Sequence, residues 1–199
     1  MPKPRQRRQK RTQQAILDAA LQIITQQGSD QLSMRAIAEQ IDYSPAGIYE
    51  YFNSKEEIIQ ALISEGHRRL TAYLRQVDEN LPPAEYLLEI GLAYIDFALR
   101  NREHYLLMFT NTPSEIQLED LLREGSSFPI LLKAIQSGID HEVFEARPGF
   151  GAQEMAYAAW ALVHGISMLR LTYLGKFDLD FSTADREALL AFNHGLRAG

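Results

Sequence analysis

The chain has 199 residues, 46% of them apolar, enough to build one large domain or two small ones around a core without cross-links. It contains no cysteine, which excludes disulfide scaffolds, thiolate zinc sites, cysteine nucleophiles and thiol redox switches and suits a reducing compartment such as the cytoplasm. The net charge of −6 conceals an asymmetry, because residues 1–55 carry eight Lys or Arg against five acids and residues 56–199 carry twelve against twenty-one. A basic segment on an acidic body fits local phosphate binding: cations displace condensed counterions while the acidic remainder stays off a polyanion.

The basic N-terminus runs into Gln and Thr rather than an apolar stretch, so no secretory signal is read. The longest uncharged run, 155–169, is shorter than the roughly 20 apolar residues a bilayer crossing needs. It reads as a buried helix, and no membrane partner is expected.

Gly and Pro are sparse inside the periodic stretches and no strand-like alternation occurs, so the fold is expected to be all-α. Residues 1–9 form a basic arm, although the first eleven residues taken alone favour a solvated, disordered tail. The first helix is predicted over 12–27, with Ile16, Ala19, Ala20, Ile23 and Ile24 at helical spacing and Gly28 as its stop. A short helix follows, capped by Ser33, with Met34, Ile37 and Ala38 turned inward and Ile41 closing the turn. The third opens at Ser44, places Pro45 at its first position, and ends near Phe52. Ser54 and Glu57 read as a capping box for a fourth helix whose stripe (Ile59, Leu62, Ile63, Leu70, Tyr73, Leu74, Val77) runs to about residue 77. Pro82 and Pro83 break it and mark a domain boundary. Further helices are predicted over 84–100, 102–111, 114–123, 126–140, 152–174 and 183–197, with Pro113, Gly125 and the loops at 147–151 and 175–182 between them. The domain plan is an arm (1–9), an N-terminal domain (10–56, its helix-turn-helix at about 33–52), a connector (57–80) and a larger body (81–199).

Two short helices joined by a tight turn have the geometry that lays the second in a DNA major groove. Ala46 and Gly47 lack bulk, so that helix can approach base edges, and its free N–H groups and dipole favour a phosphate. Tyr49 and Tyr51 supply hydroxyl donors and Lys55 a charge at the next helix start. Arg35 is the sole long donor on the preceding helix, where a guanidinium can pair bidentately with guanine, worth roughly 1–3 kcal/mol of discrimination. Plainer roles exist for the same residues: Ser33 and Ser44 as caps only, Tyr49 as core packing. Glu50 opposes phosphate.

The stretch Leu32-Ser-Met-Arg-Ala-Ile-Ala-Glu39, with Ser44-Pro-Ala-Gly-Ile-Tyr-Glu-Tyr-Phe-Asn-Ser-Lys-Glu-Glu-Ile-Ile59, resembles the helix-turn-helix of the tetracycline-repressor (TetR) family of transcriptional regulators. The resemblance covers about residues 10–65. It implies that Ser33, Arg35, Ser44, Pro45, Ala46, Gly47, Tyr49, Tyr51 and Lys55 face double-stranded DNA. Asp42 stands where such proteins commonly have Gly in the turn, so a short polar side chain must tolerate that backbone.

In the body, Trp160, His164 and Gly165 resemble a Trp-x-x-x-His-Gly signature of one class of TetR-type C-terminal domains. Trp160 and His164 are four apart and share a face. His164 reads as a polar fixture in an apolar effector pocket or as a core histidine satisfied by a neighbour. Fourteen of the nineteen aromatics follow residue 80. The candidate pocket comprises Tyr94, Phe97, His104, Tyr105, Met108, Phe109, Trp160, His164 and Met168, suited to a largely apolar small molecule. The last two long helices carry apolar stripes that, by the resemblance, pair with their copies in a homodimer through Met155, Ala159, Leu162, Ile166, Leu169, Leu189, Phe192 and Leu196. A two-fold dimer also suits the chemistry, since reading heads about 34–36 Å apart meet successive major grooves of a near-palindrome.

Enzyme signatures fail one by one. His141-Glu142 lacks the second histidine of a zinc helix, Gly165-Ile-Ser167 lacks the closing Gly of a nucleophile elbow, and no Walker lysine follows a glycine loop. No catalytic residue, metal or cofactor is expected. The sequence therefore predicts a ligand-responsive regulator, a repressor whose effector shifts the connector helix; the rival is a helical small-molecule carrier or a non-specific DNA-binding protein.

Overall fold

In the computed structural model the described residues are 4–110 and 126–197, and no β-strand occurs among them. The helices are α1 (Pro4–Gln27), α2 (Met34–Gln40), α3 (Pro45–Ile48), α4 (Lys55–Leu74), α5 (Pro83–Arg100), α6 (Arg102–Thr110), α7 (Phe128–Asp140), α8 (Ala152–Thr172) and α9 (Ser182–Leu196). The predicted helix at 114–123, with Pro113 and Gly125 beside it, lies outside the described residues, as do residues 1–3 of the arm. The all-α expectation holds.

Three boundaries differ by three residues or more from those predicted, one of them that of α3, which ends at Ile48 rather than near Phe52. α1 begins at Pro4 rather than near residue 12. Its first buried residue is Ile16, so apolar periodicity gives no sign of the exposed turns before it. Arg, Gln and Lys are good helix formers, and extending an existing helix avoids the cost of nucleation. α4 stops at Leu74, after which Gln76 and Val77 donate to Tyr73 and Leu74 carbonyls in i→i+3 bonds that tighten the final turn.

The chain divides into two compact units, and the division falls within α4 between Gly66 and His67, not at the Pro82–Pro83 break. The first unit holds α1–α3, the start of α4, and residues 103–110 of α6. Its core gathers Ile16, Ala20 and Ile23 of α1, Ile37 and Ala38 of α2, Ile48 of α3, Phe52, and Ile58 and Leu62 of α4. Leu107 joins that core, which explains why α6 belongs here. Met108 packs over Gly66, its Cγ 2.8 Å from where a Cβ would stand.

The second unit holds the end of α4 with α5, α7, α8 and α9. Leu87 and Ile90 of α5, Ala134 and Ile135 of α7, Met155 and Ala156 of α8, Leu196 of α9 and Phe144 form its core. Phe144 sits against Gly138, its Cγ 2.9 Å from a Cβ position that only glycine leaves empty. Polar clamps tie the helix ends: Asn193 Nδ2 donates to Ala84 O at 2.8 Å, Arg102 Nη1 to Leu171 O at 2.6 Å, and Arg170 to Asp185. Among the described residues no helix is long and apolar enough to cross a membrane.

Candidate nucleic-acid interface

The two short helices are built by their caps. Ser33 Oγ accepts from Ala36 N at 3.1 Å and Ser44 Oγ from Gly47 N at 3.0 Å; each bond satisfies one orphan donor and holds about 1 kcal/mol of local stability. Between them Asp42 adopts φ 52°, the left-handed backbone that glycine usually supplies. Gln40 Nε2 donates to Gln22 Oε1 at 2.6 Å and ties α2 to α1. At the start of α4, Glu57 N donates to Ser54 Oγ, but the returning Glu57 carboxylate takes the N–H of Asn53 rather than that of Ser54.

With Ile48 fully buried and Phe52 nearly so, the opposite side of α3 faces solvent. Ser33, Arg35, Ser44, Pro45, Ala46 and Tyr49 are exposed, and Gly47, Tyr51 and Lys55 are half-buried. Tyr49 is 55% exposed, so the core-packing role is excluded for it. Arg35 Nε is paired with Glu39 at 2.9 Å. A surface pair at this spacing is worth about 0.3–0.5 kcal/mol, less than a bidentate guanine contact, so a base can take the guanidinium from Glu39.

Two expectations about α3 need correction. It is only four residues long, so it offers little aligned dipole, and the Ser44 cap already occupies one of its N–H groups. The small side of Gly47 is also filled from within the protein. The Tyr43 ring lies against it, with Cδ1 2.8 Å from the position of a Cβ. Sequence reasoning passed over Tyr43, an aromatic in a polar turn and off every helical stripe. That misplacement is itself the signal. A hydrogen bond with Tyr51, aided by the nearby Tyr51 and Glu50 charges, raises the Tyr43 phenol above its ordinary range, while Arg8 pulls the other way.

Residues 16–62 match the family described as bacterial regulatory proteins, tetR family, and residues 87–193, more than half of the chain, match the tetracyclin repressor-like C-terminal domain. The chain belongs to the TetR family. It is similar to the HTH-type transcriptional regulator UidR of Escherichia coli K12, with 34% identity over 91 residues that make up 45% of this chain and 46% of UidR. The match thus spans about half the length of that relative. Among solved structures, a protein of unknown function from Rhodococcus sp. RHA1 superposes with a TM-score of 0.79 at 23% identity over 94% of this chain and 95% of that one. The TetR regulator PfmR of Thermus thermophilus does so with a TM-score of 0.72 at 19% identity, over 92% and 99%. These structures share the TetR fold.

The candidate pocket residues of this TetR chain fall on both units. His104, Tyr105, Met108 and Phe109 sit on α6 in the first unit, where Tyr105 is fully buried and its ring centroid lies 4.8 Å from that of Phe109. Tyr94, Phe97, Trp160, His164 and Met168 belong to the second. Phe97 is buried in the core against Tyr73, at 5.9 Å between ring centroids. Trp160 Nε1 donates to the Tyr94 hydroxyl at 3.3 Å, and that hydroxyl lies 3.4 Å from His164 Nδ1. Burial pushes the His164 imidazole below its ordinary pKa. A groove of about 570 Å³ bounded by Leu132, Lys133, Gln136 and Gln153, among others, contains none of the nine.

The dimer stripe divides as well. Met155, Ala159, Leu189 and Leu196 are buried inside the subunit, so they are not available to a partner. A helix packed on neighbours within its own bundle turns its most regular apolar stripe inward. Leu162, Ile166 and Phe192 are half-buried, and Leu169, Tyr157 and Tyr173 are exposed. Among the described residues no group of three or more His, Asp or Glu is placed to hold a metal ion.

Proposed function

We propose that this TetR-family chain is a sequence-specific DNA-binding transcriptional repressor, working in the cytoplasm as a homodimer and released from its operator by a largely apolar small molecule. The observation that carries the reading is the capped α2–turn–α3 unit, whose Ile48 anchor is buried while Ser44, Pro45, Ala46 and Tyr49 point outward. Arg35 reads a base edge, and Ser33, Ser44, Tyr49, Tyr51 and Lys55 hold phosphates. Gly47 contributes through its neighbours. Leu162, Ile166, Leu169 and Phe192 are the stripe residues left for a partner, which brings two reading heads onto a near-palindrome. The Tyr94–Trp160–His164 cluster is the polar end of the effector site, and the effector acts by displacing α4, a coupling of roughly 1–3 kcal/mol that lowers operator affinity about 5- to 150-fold.

Selection of binding sites from a random duplex pool at physiological salt tests the reading. Enrichment of a near-palindromic sequence is the expected result. Recovery of random duplexes with no preferred sequence would favour a non-specific binder, and no recovery at all a helical carrier.

A further inference from the structure

Among the described residues, the large apolar side chains left exposed in the second unit are Tyr157, Leu169, Tyr173, Phe177 and Leu179, all on α8 or the segment after it. Between Glu154 at the start of α8 and Lys176 just past its end the only charged residue is Arg170, which turns inward to Asp185. Gly165 stands in mid-helix between the exposed Ala161 and Leu169. Glycine weakens a helix interior relative to alanine, yet among the described residues a Cβ at Gly165 would meet nothing within 4 Å.

The segment after α8 is braced from within the subunit. Gly175 passes so close to Arg170 that a Cβ there would lie 2.7 Å from the arginine carbonyl oxygen. Phe177 N donates to Leu174 O at 3.0 Å, the Arg170 guanidinium stands 5.8 Å from the Phe181 ring centroid, and Asp180 Oδ1 accepts from Ser182 N at 2.8 Å. Phe177 and Leu179 are therefore held out into solvent, the mark of an interaction surface. At the other end of α8 lies the groove of about 570 Å³ lined by Leu132, Lys133, Ala152, Gln153 and Glu154, among others.

A two-fold axis relates these features. Gly165 is as far along the chain from Glu154 as from Lys176. When two copies of α8 cross antiparallel at Gly165, Ala161 meets the partner's Leu169, small against large, and Tyr157 meets the partner's Tyr173. Glu154 then meets the partner's Lys176, and Phe177 comes to the partner's Gln153 at the groove. A parallel crossing would instead set Glu154 against Glu154 and Lys176 against Lys176, like charges that repel. We propose that α8 packs antiparallel on its copy with Gly165 at the crossing, and that Phe177 and Leu179 of each protomer seat in the groove between α7 and α8 of the other. Each surface is used twice, as an isologous contact requires, and glycine at the crossing lets the two backbones approach. This rests on the homodimer reading above and goes beyond it by fixing a register and giving the groove an occupant.

The chain has no cysteine, so introduced thiols report the register. Glu154→Cys and Lys176→Cys proteins, mixed, allowed to exchange subunits and oxidised, should form a disulfide-linked pair, since Cα atoms within about 7 Å can be bridged. Each protein alone should form little. A parent dimer whose variants link only with themselves, or do not link in the mixture, overturns the register and leaves the homodimer standing. For the groove, Phe177→Ser combined with Leu179→Ser is expected to raise the dimer dissociation constant in sedimentation by about 10-fold or more, because two apolar side chains per protomer lose their burial. Both positions are exposed in the subunit, so circular dichroism should match the parent. A double variant that dimerises like the parent overturns the groove assignment. A parent that sediments as a monomer at micromolar concentration overturns the homodimer reading and the proposal together.

Discussion

Tyr73, in the last turn of α4, donates its hydroxyl hydrogen to Asp96 of α5, and Arg100 Nε lies 2.8 Å from each oxygen of the same carboxylate. The connector helix is thereby fastened, at its far end, to the first helix of the body. Burial works to raise the Asp96 pKa, but the bonds from Tyr73 and Arg100 and the Arg100 charge outweigh it and hold the carboxyl below its usual value of 3.8. A carboxyl lowered by folding contributes stability above its unfolded pKa, and that contribution is lost as pH falls through the lower folded value. The side chain is 43% exposed, so solvent screening keeps the effect below about 1 kcal/mol. Thermal melts should therefore show Asp96→Asn less stable than the parent at pH 7, with the gap closing below pH 3.8.

Arg35 and Lys55 should separate base reading from phosphate holding. Arg35→Ala is expected to cost about 1–3 kcal/mol at one operator position and to relax preference there. Lys55→Ala should weaken every duplex alike and flatten the salt slope by about 1. Titrations against an operator and its single-base variants decide, and a reversed pattern would exchange the two roles.

Removal of residues 1–9 takes away Lys3, Arg5, Arg7 and Arg8. The salt slope should fall by up to about 3–4 with operator preference intact. Melting should change little, because α1 buries its first residue only at Ile16. Unchanged affinity at low salt would make the segment an inert tail.

His164→Leu distinguishes a pocket role from a core role. The expected protein folds and binds duplex but no longer responds to effector. Its pH dependence provides a second readout. Burial lowers the His164 pKa from 6.5, so the folded state is favoured with the ring neutral, and stability falls as pH drops below that value. The variant should lose part of this acid sensitivity. His67, lowered by burial as well, retains the rest.

The helices at the C-terminal end should respond differently on their two sides. Met155→Ala, at a fully buried position, is expected to cost about 2–5 kcal/mol in unfolding experiments. Leu169→Asp, at a position 54% exposed, should leave unfolding of the subunit nearly unchanged while shifting sedimentation toward the monomer. A monomeric parent at micromolar concentration would remove the dimer from the proposed mechanism.

Much of this molecule is legible in the order of its residues. Helix caps and core stripes are local: Ser33, Ser44 and Gly28 act on backbone within four residues, and Ile16, Ile23, Ile37 and Ile48 mark their inward faces by spacing alone. The recognition face follows from the same logic, because what is not needed inward between Ser44 and Tyr51 is left to solvent. Other features depend on groups distant in sequence. That Tyr43 fills the notch at Gly47, that residues 103–110 join the first unit, and that Met155 and Leu196 turn inward while Leu169 stays outside are all outcomes of packing. An apolar side chain is equally at home against its own subunit, a ligand or a second copy, since burial is non-directional. Only the assembled helices decide which of these surfaces it meets.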